Sequence, residues 1–164
     1  MNSLNHFDEK GAPRMVDVGV KDVTLRMAKA QATVTMAEET LDRVQQTAIA
    51  KGDVLEVARL AGIMGAKQTS NLIPLCHPLN VDSVTVDFEV VAPTKIRISA
   101  VVQIQARTGV EMEAMTAVSV AALTVYDMCK GMDRDIEIGE IQLLEKTGGR
   151  SGHYRRSQDQ KGGV

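Results

Sequence analysis

Four short segments carry polar residue types that a small folded domain does not need for its own packing. In 73–79, Ile-Pro-Leu-Cys-His-Pro-Leu, His77 sits beside Cys76 in an apolar stretch, and prolines at 74 and 78 stiffen the backbone and fix where the imidazole points. The plainer reading is a half-buried ring bonded to a backbone carbonyl. Adjacent Cys and His lack the two-to-four-residue spacing of a zinc pair, so no metal is expected there. In 109–113, Gly-Val-Glu-Met-Glu, Glu111 and Glu113 share a face if the segment is a strand and point about 160° apart if it is a helix. Acids near a helix N-terminus complement its dipole, which accounts for one glutamate more readily than for two. Asp127 and Lys130 are three apart, hence on one helix face. On an open surface such a pair contributes little. At the mouth of an apolar pocket, each partner tunes the other's pKa and the two can donate and accept protons. In 146–152, Lys-Thr-Gly-Gly-Arg-Ser-Gly, cations and backbone donors suit a phosphate ligand. This is not a Walker A loop, because the residue order is wrong and no helix follows; the plainer reading is a loose tail. Lys51, Lys67 and their neighbours add cations that say little individually.

The elements that must position these groups follow from periodicity. Ala28, Ala30, Ala32, Val34 and Met36 alternate with polar residues, which predicts a strand with one buried face. A helix is expected over 38–50, ended at Gly52, and a second opens at Asp53, with Glu56 at the capping-box position. That second helix should fade before Pro74. Alternation at 84–90 and 96–106 around the short 92–94 connection predicts a hairpin. Residues 113–130 form a helix that is apolar nearly all round, so it is buried on most sides. Full burial is hard to reach in so small a chain, which implies an oligomer. A last strand over 136–143 slips phase at Gly139-Glu140, the mark of a bulge. The order predicts an α+β, ferredoxin-like β-α-β-β-α-β fold with an extra helix in the first crossover and an antiparallel sheet packed against helices. Glu113 and Asp127 lie 14 residues apart, about 21 Å along one helix. Either they serve different sites or a neighbouring subunit brings the two ends together.

Composition bounds the function. The 164 residues are the length of one domain. We expect a loose segment at 1–14, a single catalytic domain at 15–154 and a flexible tail at 155–164. Lys and Arg total 19 against 21 Asp and Glu, so no basic field exists to hold long nucleic acid. Phe7, Phe88, Tyr126 and Tyr154 are the only aromatics, too few for base-stacking platforms. Cys76 and Cys129 form no Cys-x-x-Cys pair, which fits free thiols in a reducing compartment. The N-terminus lacks the apolar run of a secretory signal, and the longest apolar-rich stretch, 114–126, falls short of the roughly 20 residues of a membrane span. A cytoplasmic protein without membrane or nucleic-acid partners is expected.

The segments Met15-Val16-Asp17-Val18, Lys51-Gly52-Asp53-Val54, 72–79, 108–114, 126–130 and 146–152 occur together in this order. In this combination the chain resembles the molybdenum cofactor biosynthesis protein C family, the cyclic pyranopterin monophosphate synthases, over roughly 4–154. The resemblance implies conversion of 3′,8-cyclo-7,8-dihydroguanosine 5′-triphosphate to cyclic pyranopterin monophosphate with release of pyrophosphate. It implies a homohexamer, a trimer of dimers with sites between subunits, and an upstream radical enzyme that supplies the substrate. It puts the site on Lys51, His77, Glu111, Glu113, Asp127, Lys130 and Lys146, with Leu75, Cys76 and Met112 as further substrate contacts. Asp127 and Lys130 would be the acid/base pair. Lys51, His77 and Lys146 would face the triphosphate, and Glu111 and Glu113 would hold or protonate the guanine-derived ring. The ring chemistry needs no redox change, so no flavin, nicotinamide or cluster is implied; magnesium could accompany the triphosphate, but no carboxylate motif demands it. One departure is Asn71, where many relatives carry an acid, and which reads here as a structural cap. The alternative is a non-catalytic oligomeric module that senses a nucleotide or metabolite, which would need fewer acid, base and cation groups.

Overall fold

The computed structural model describes residues 6–47, 53–149 and 152–157. Strand β1 (Thr24–Thr35) buries Ala28, Ala30, Ala32 and Val34, as the alternation requires. It starts before its apolar face does, because backbone pairing with the next strand but one continues to Thr24↔Ala106 even where Leu25 is exposed. Helix α1 (Glu38–Thr47) follows, then α2 (Val54–Lys67) and the single turn α3 (Thr69–Leu72). The Asp53 carboxylate accepts from the backbone N–H of Leu55 at 2.9 Å and of Glu56 at 3.2 Å, the cap that its position predicts. Gly52, expected to end α1, lies outside the described residues.

Strands β2 (Ser83–Ala92) and β3 (Lys95–Ala106) form the hairpin. Helix α4 (Glu111–Cys129) leads to β4 (Glu137–Thr147), and a two-residue β5 (Tyr154–Arg155) closes the order. The sheet runs β2-β3-β1-β4-β5, antiparallel throughout. This is the expected α+β, ferredoxin-like arrangement, with α1 and α2 both in the first crossover. The irregularity at Gly139-Glu140 is present: the β1–β4 register shifts between Gln31 and Thr33, and Glu140 has a φ of 50°.

Composition predicts a loose chain from 155 onward, and in its first residues the structure differs. Arg155 pairs with Glu145, the Arg156 N–H donates to the Leu144 carbonyl at 2.7 Å, and the Arg156 guanidinium donates to Gln142 at 2.9 Å. The outer edge of β4 offers unpaired backbone groups, and even a polar Gly-rich chain gains by satisfying them.

Helices α2 and α4 pack against each other on one face of the sheet. Small residues on α2 make this possible: Ala58, Gly62, Gly65 and Ala66 are buried, and a Cβ on Gly62 would lie 2.9 Å from the Ala117 carbonyl oxygen. Along α4, Ala114, Ala117, Val118, Ala121, Ala122 and Val125 are fully buried. Leu123 and Met128 are exposed on the same helix, and Val57, Leu60 and Met64 are exposed on α2. Within one chain, therefore, the packed sides of the two helices are fully covered, while other apolar side chains on both remain exposed.

Candidate active site

The end of β3 hands over to α4 through Arg107, Thr108 and Gly109, and this junction aims the two glutamates. A Cβ on Gly109 would collide with the Glu111 carboxylate, so only glycine lets that side chain fold back over the junction. There Glu111 Oε1 meets Lys146 Nζ, from the end of β4, at 2.9 Å. Both side chains are about three-quarters buried, with 28% and 25% exposure. Glu113 lies deeper, at 4% exposure. Its burial pushes its pKa up and the Glu111 charge adds to that, while its own backbone N–H pulls the other way. The two acids are thus unlike: Glu111 is an ion-paired carboxylate, and Glu113 is drawn towards the neutral acid. Cys76 is close enough to feel Glu113. Burial, and then the Glu113 charge, raises the Cys76 thiol, which disfavours a nucleophilic thiolate.

His77 is half-buried on the loop between α3 and β2. It makes no hydrogen bond or ion pair to a described residue, so the carbonyl-bonded ring of the plainer reading is not found. Leu75 is half-buried on the same segment, and Met112 is exposed in the first turn of α4. Asn71, expected to be a cap, sits inside α3 and caps no helix end; its side-chain amide donates to the Gln68 side chain at 2.6 Å. Lys51 lies outside the described residues.

Asp127 and Lys130 meet at 2.5 Å at the far end of α4. They are mostly exposed, at 69% and 56%, and the Asp127 carboxylate raises the Lys130 pKa. Nearby, the Asp133 carboxylate accepts from the Ala37 N–H at 2.8 Å and the Asp135 N–H at 3.0 Å, and it also binds Thr40. Those bonds hold Asp133 below the usual carboxylate range and fasten the end of α4 to the start of α1.

A pocket of about 660 Å³ opens between the start of β1, the β3–α4 junction and the glycine segment after β4. Glu111 and Lys146 line it, with Lys21, Asp22, Arg26 and Arg107, none of which the sequence reading singled out. Arg26 is buried at 8% exposure and donates to the Ala106 and Arg107 carbonyls, each at 3.3 Å. Gly148 and Gly149 lie over it with φ of 95° and 76°, and a Cβ on Gly149 would collide with the guanidinium. One signal for Arg26 was available: it is in phase with Ala28, Ala30 and Ala32, so a charge stands at a core-facing position. Arg107 abuts the Gly109 segment; Lys21 and Asp22 carried no signal.

Among the described residues, no three His, Cys, Asp or Glu side chains are grouped to hold a metal ion, and no helix is long and apolar enough to cross a membrane. The MoaC family model matches residues 15–149. A cyclic pyranopterin monophosphate synthase of Desulfitobacterium hafniense is 56% identical over 158 residues, covering 96% of this chain and 97% of that protein. One of Magnetococcus marinus is 58% identical over 163 residues, covering 98% of this chain and all of that protein. Cyclic pyranopterin monophosphate synthase 3 of Mycobacterium bovis is 59% identical over 153 residues, covering 93% of this chain and 86% of that protein. A family match over most of the chain, with relatives this similar from end to end, has one reading: the chain belongs to the MoaC family.

Proposed function

We propose that this chain is a cyclic pyranopterin monophosphate synthase, a lyase of molybdenum cofactor biosynthesis. The reaction converts 3′,8-cyclo-7,8-dihydroguanosine 5′-triphosphate to cyclic pyranopterin monophosphate and pyrophosphate. The observation that carries the reading is end-to-end similarity to relatives named for this activity.

The site geometry supports a division of labour. Glu113, buried and held towards its protonated form, donates a hydrogen bond to the guanine-derived ring; Glu111 accepts one while Lys146 balances its charge. Lys146, His77 and Lys51 stabilise charge that develops on the leaving pyrophosphate. Asp127 and Lys130 shuttle protons as the imidazole ring opens and the pterin ring closes. Leu75, Cys76 and Met112 border the substrate. No step needs an electron acceptor, so no redox cofactor takes part, and magnesium enters only as a companion of the triphosphate.

The acid/base pair belongs to a site completed by a second subunit. Along α4, Asp127 is about 21 Å from Glu113, too far for one small substrate to touch both within a chain. The exposed Val57, Leu60, Met64, Leu123 and Met128 supply apolar surface for such an assembly, which we take to be a homohexamer built as a trimer of dimers. Free thiols at Cys76 and Cys129 agree with a cytoplasmic setting, where an upstream radical enzyme delivers the substrate.

The test is to supply the cyclic nucleotide to the wild-type protein, Asp127→Asn and Lys130→Ala, and to measure the pterin product and pyrophosphate. Circular dichroism verifies folding. Wild-type protein should form both products, and each folded variant should lose most turnover. Wild-type turnover in either variant would overturn the acid/base assignment, and no product from the wild-type protein would overturn the function.

A further inference from the structure

The β1–β4 ladder is irregular close to Lys146. Leu143 pairs with Ala30 and Glu145 with Lys29, so the register passes over Leu144. The Leu144 carbonyl is taken from the other side, where the Arg156 N–H donates to it at 2.7 Å. Strand β5 then pairs Arg155 with Glu145 and Tyr154 with Lys146. Lys146, the last residue but one of β4, therefore stands between Ala28 on β1 and Tyr154 on β5. Side chains fasten the same stretch. Arg156 Nε donates to Gln142 at 2.9 Å, and His153 Nε2 meets Glu145 at 2.7 Å. Lys29 and Arg155 are the cross-strand neighbours of Glu145, so in the ladder its carboxylate lies between two cations. Residues 152–157 are all exposed, so burial does not drive this docking; the bonds to the edge of β4 do. An edge strand that ended at a bulge with nothing beside it would fray, and Lys146 with it.

We propose that residues 153–156 are a clasp that positions Lys146 for the reaction, with Arg156 as its principal positioning residue. The proposal rests on the substrate-facing role given to Lys146 above and adds what holds that lysine in place. Lys146 Nζ meets Glu111 at 2.9 Å from a strand end that β1 pairs irregularly, and pairing from β5 removes the slack. The clasp touches no substrate and acts through Lys146 alone. Its effect on rate is large because charge stabilisation at a leaving group depends on where the cation stands.

The test compares full-length Arg156→Pro, which deletes the N–H that holds Leu144, with Arg156→Lys, which keeps that N–H and a donor for Gln142. Arg155 is already extended, the conformation that a following proline favours. Two quantities are measured: turnover of the cyclic nucleotide, and the rate at which acetic anhydride acylates Lys146, read by mass spectrometry against Lys95, which is exposed in the β2–β3 hairpin. In Arg156→Pro, kcat should fall about 10–100-fold and by more than KM rises. Acylation of Lys146 should speed up several-fold while that of Lys95 stays constant. Arg156→Lys should stay near the wild type in both. Arg156→Ala, which removes only the bond to Gln142, should show the same two changes at a smaller size, and it decides the question if the proline variant does not fold. Unchanged turnover in a folded Arg156→Pro would overturn the proposal, and so would acylation that rises equally at Lys95. If the wild-type protein forms no pterin, the function fails and acylation alone judges the clasp: a selective rise at Lys146 upholds it, and no rise overturns it.

Discussion

The two ends of α4 carry the same chemical pair, a carboxylate and a lysine, in opposite surroundings. At the N-terminal end, Glu111 meets Lys146 from strand β4, both about three-quarters buried, with Glu113 buried deeper. At the C-terminal end, Asp127 meets Lys130 one turn away on the same helix, in open solvent. A pair formed across the fold fixes the relation of two elements and gives a single chain a preformed pocket. A pair along one helix fixes nothing beyond its own turn, and water screens it. Under the proposed function, the first end is preformed within one chain, whereas the second needs another surface to cover it before it can act as a strong acid/base pair.

The widest separation between the ends comes from the exposed pair. Lys130→Ala or Asp127→Asn should lower turnover by about 10²–10⁴-fold, as loss of a general acid or base does, and leave the melting temperature near that of the wild type. A large drop in melting temperature with activity retained would reverse the roles given to the two ends.

Glu113→Gln should have the opposite stability signature. The fold raises the Glu113 pKa, so the native state prefers the protonated acid and ionisation above the usual carboxylate range costs stability. Glutamine does not carry that cost. The variant should melt higher than the wild type at pH 8, the gap should close below about pH 4, and turnover should fall about 10–100-fold with loss of the proton donor. Thermal melts across pH check this, and a variant less stable at pH 8 would contradict a buried acid with a raised pKa.

Gly149→Ala strikes the N-terminal end through its backbone. The positive φ and the collision with Arg26 predict a loss of about 1–2 kcal/mol in urea unfolding, together with weaker pyrophosphate binding. The smallest effect is expected at Asp133. Its depressed pKa means that its contribution to stability is present above the usual carboxylate range and is lost as pH falls through the lowered value. Asp133→Asn should therefore melt slightly below the wild type at pH 7 and match it near pH 2.

The same contrast explains what the sequence made legible. Local patterns carried most of the fold: the alternation of β1, the Asp53 cap, the β2–β3 hairpin and the bulge at Glu140 each depend on residues near in the chain. The Asp127–Lys130 pair was legible for the same reason, being three residues apart. The Glu111–Lys146 contact joins positions 35 apart, and spacing alone did not pair them. Arg26 escaped because its role depends on carbonyls 80 residues away and on glycines that reach it from β4. Strand β5 escaped because its polar sequence has no buried face, and the open edge of β4 decides its conformation.

Mixing Asp127→Asn chains with Lys146→Ala chains tests the shared site most directly. If Lys146 of one subunit and Asp127 of another build each site, a random one-to-one mixture regains about a quarter of wild-type turnover, because one pairing in four unites two intact halves. Each variant alone stays nearly inactive. No recovery, with subunit exchange demonstrated, would contradict a site shared between the two ends of α4.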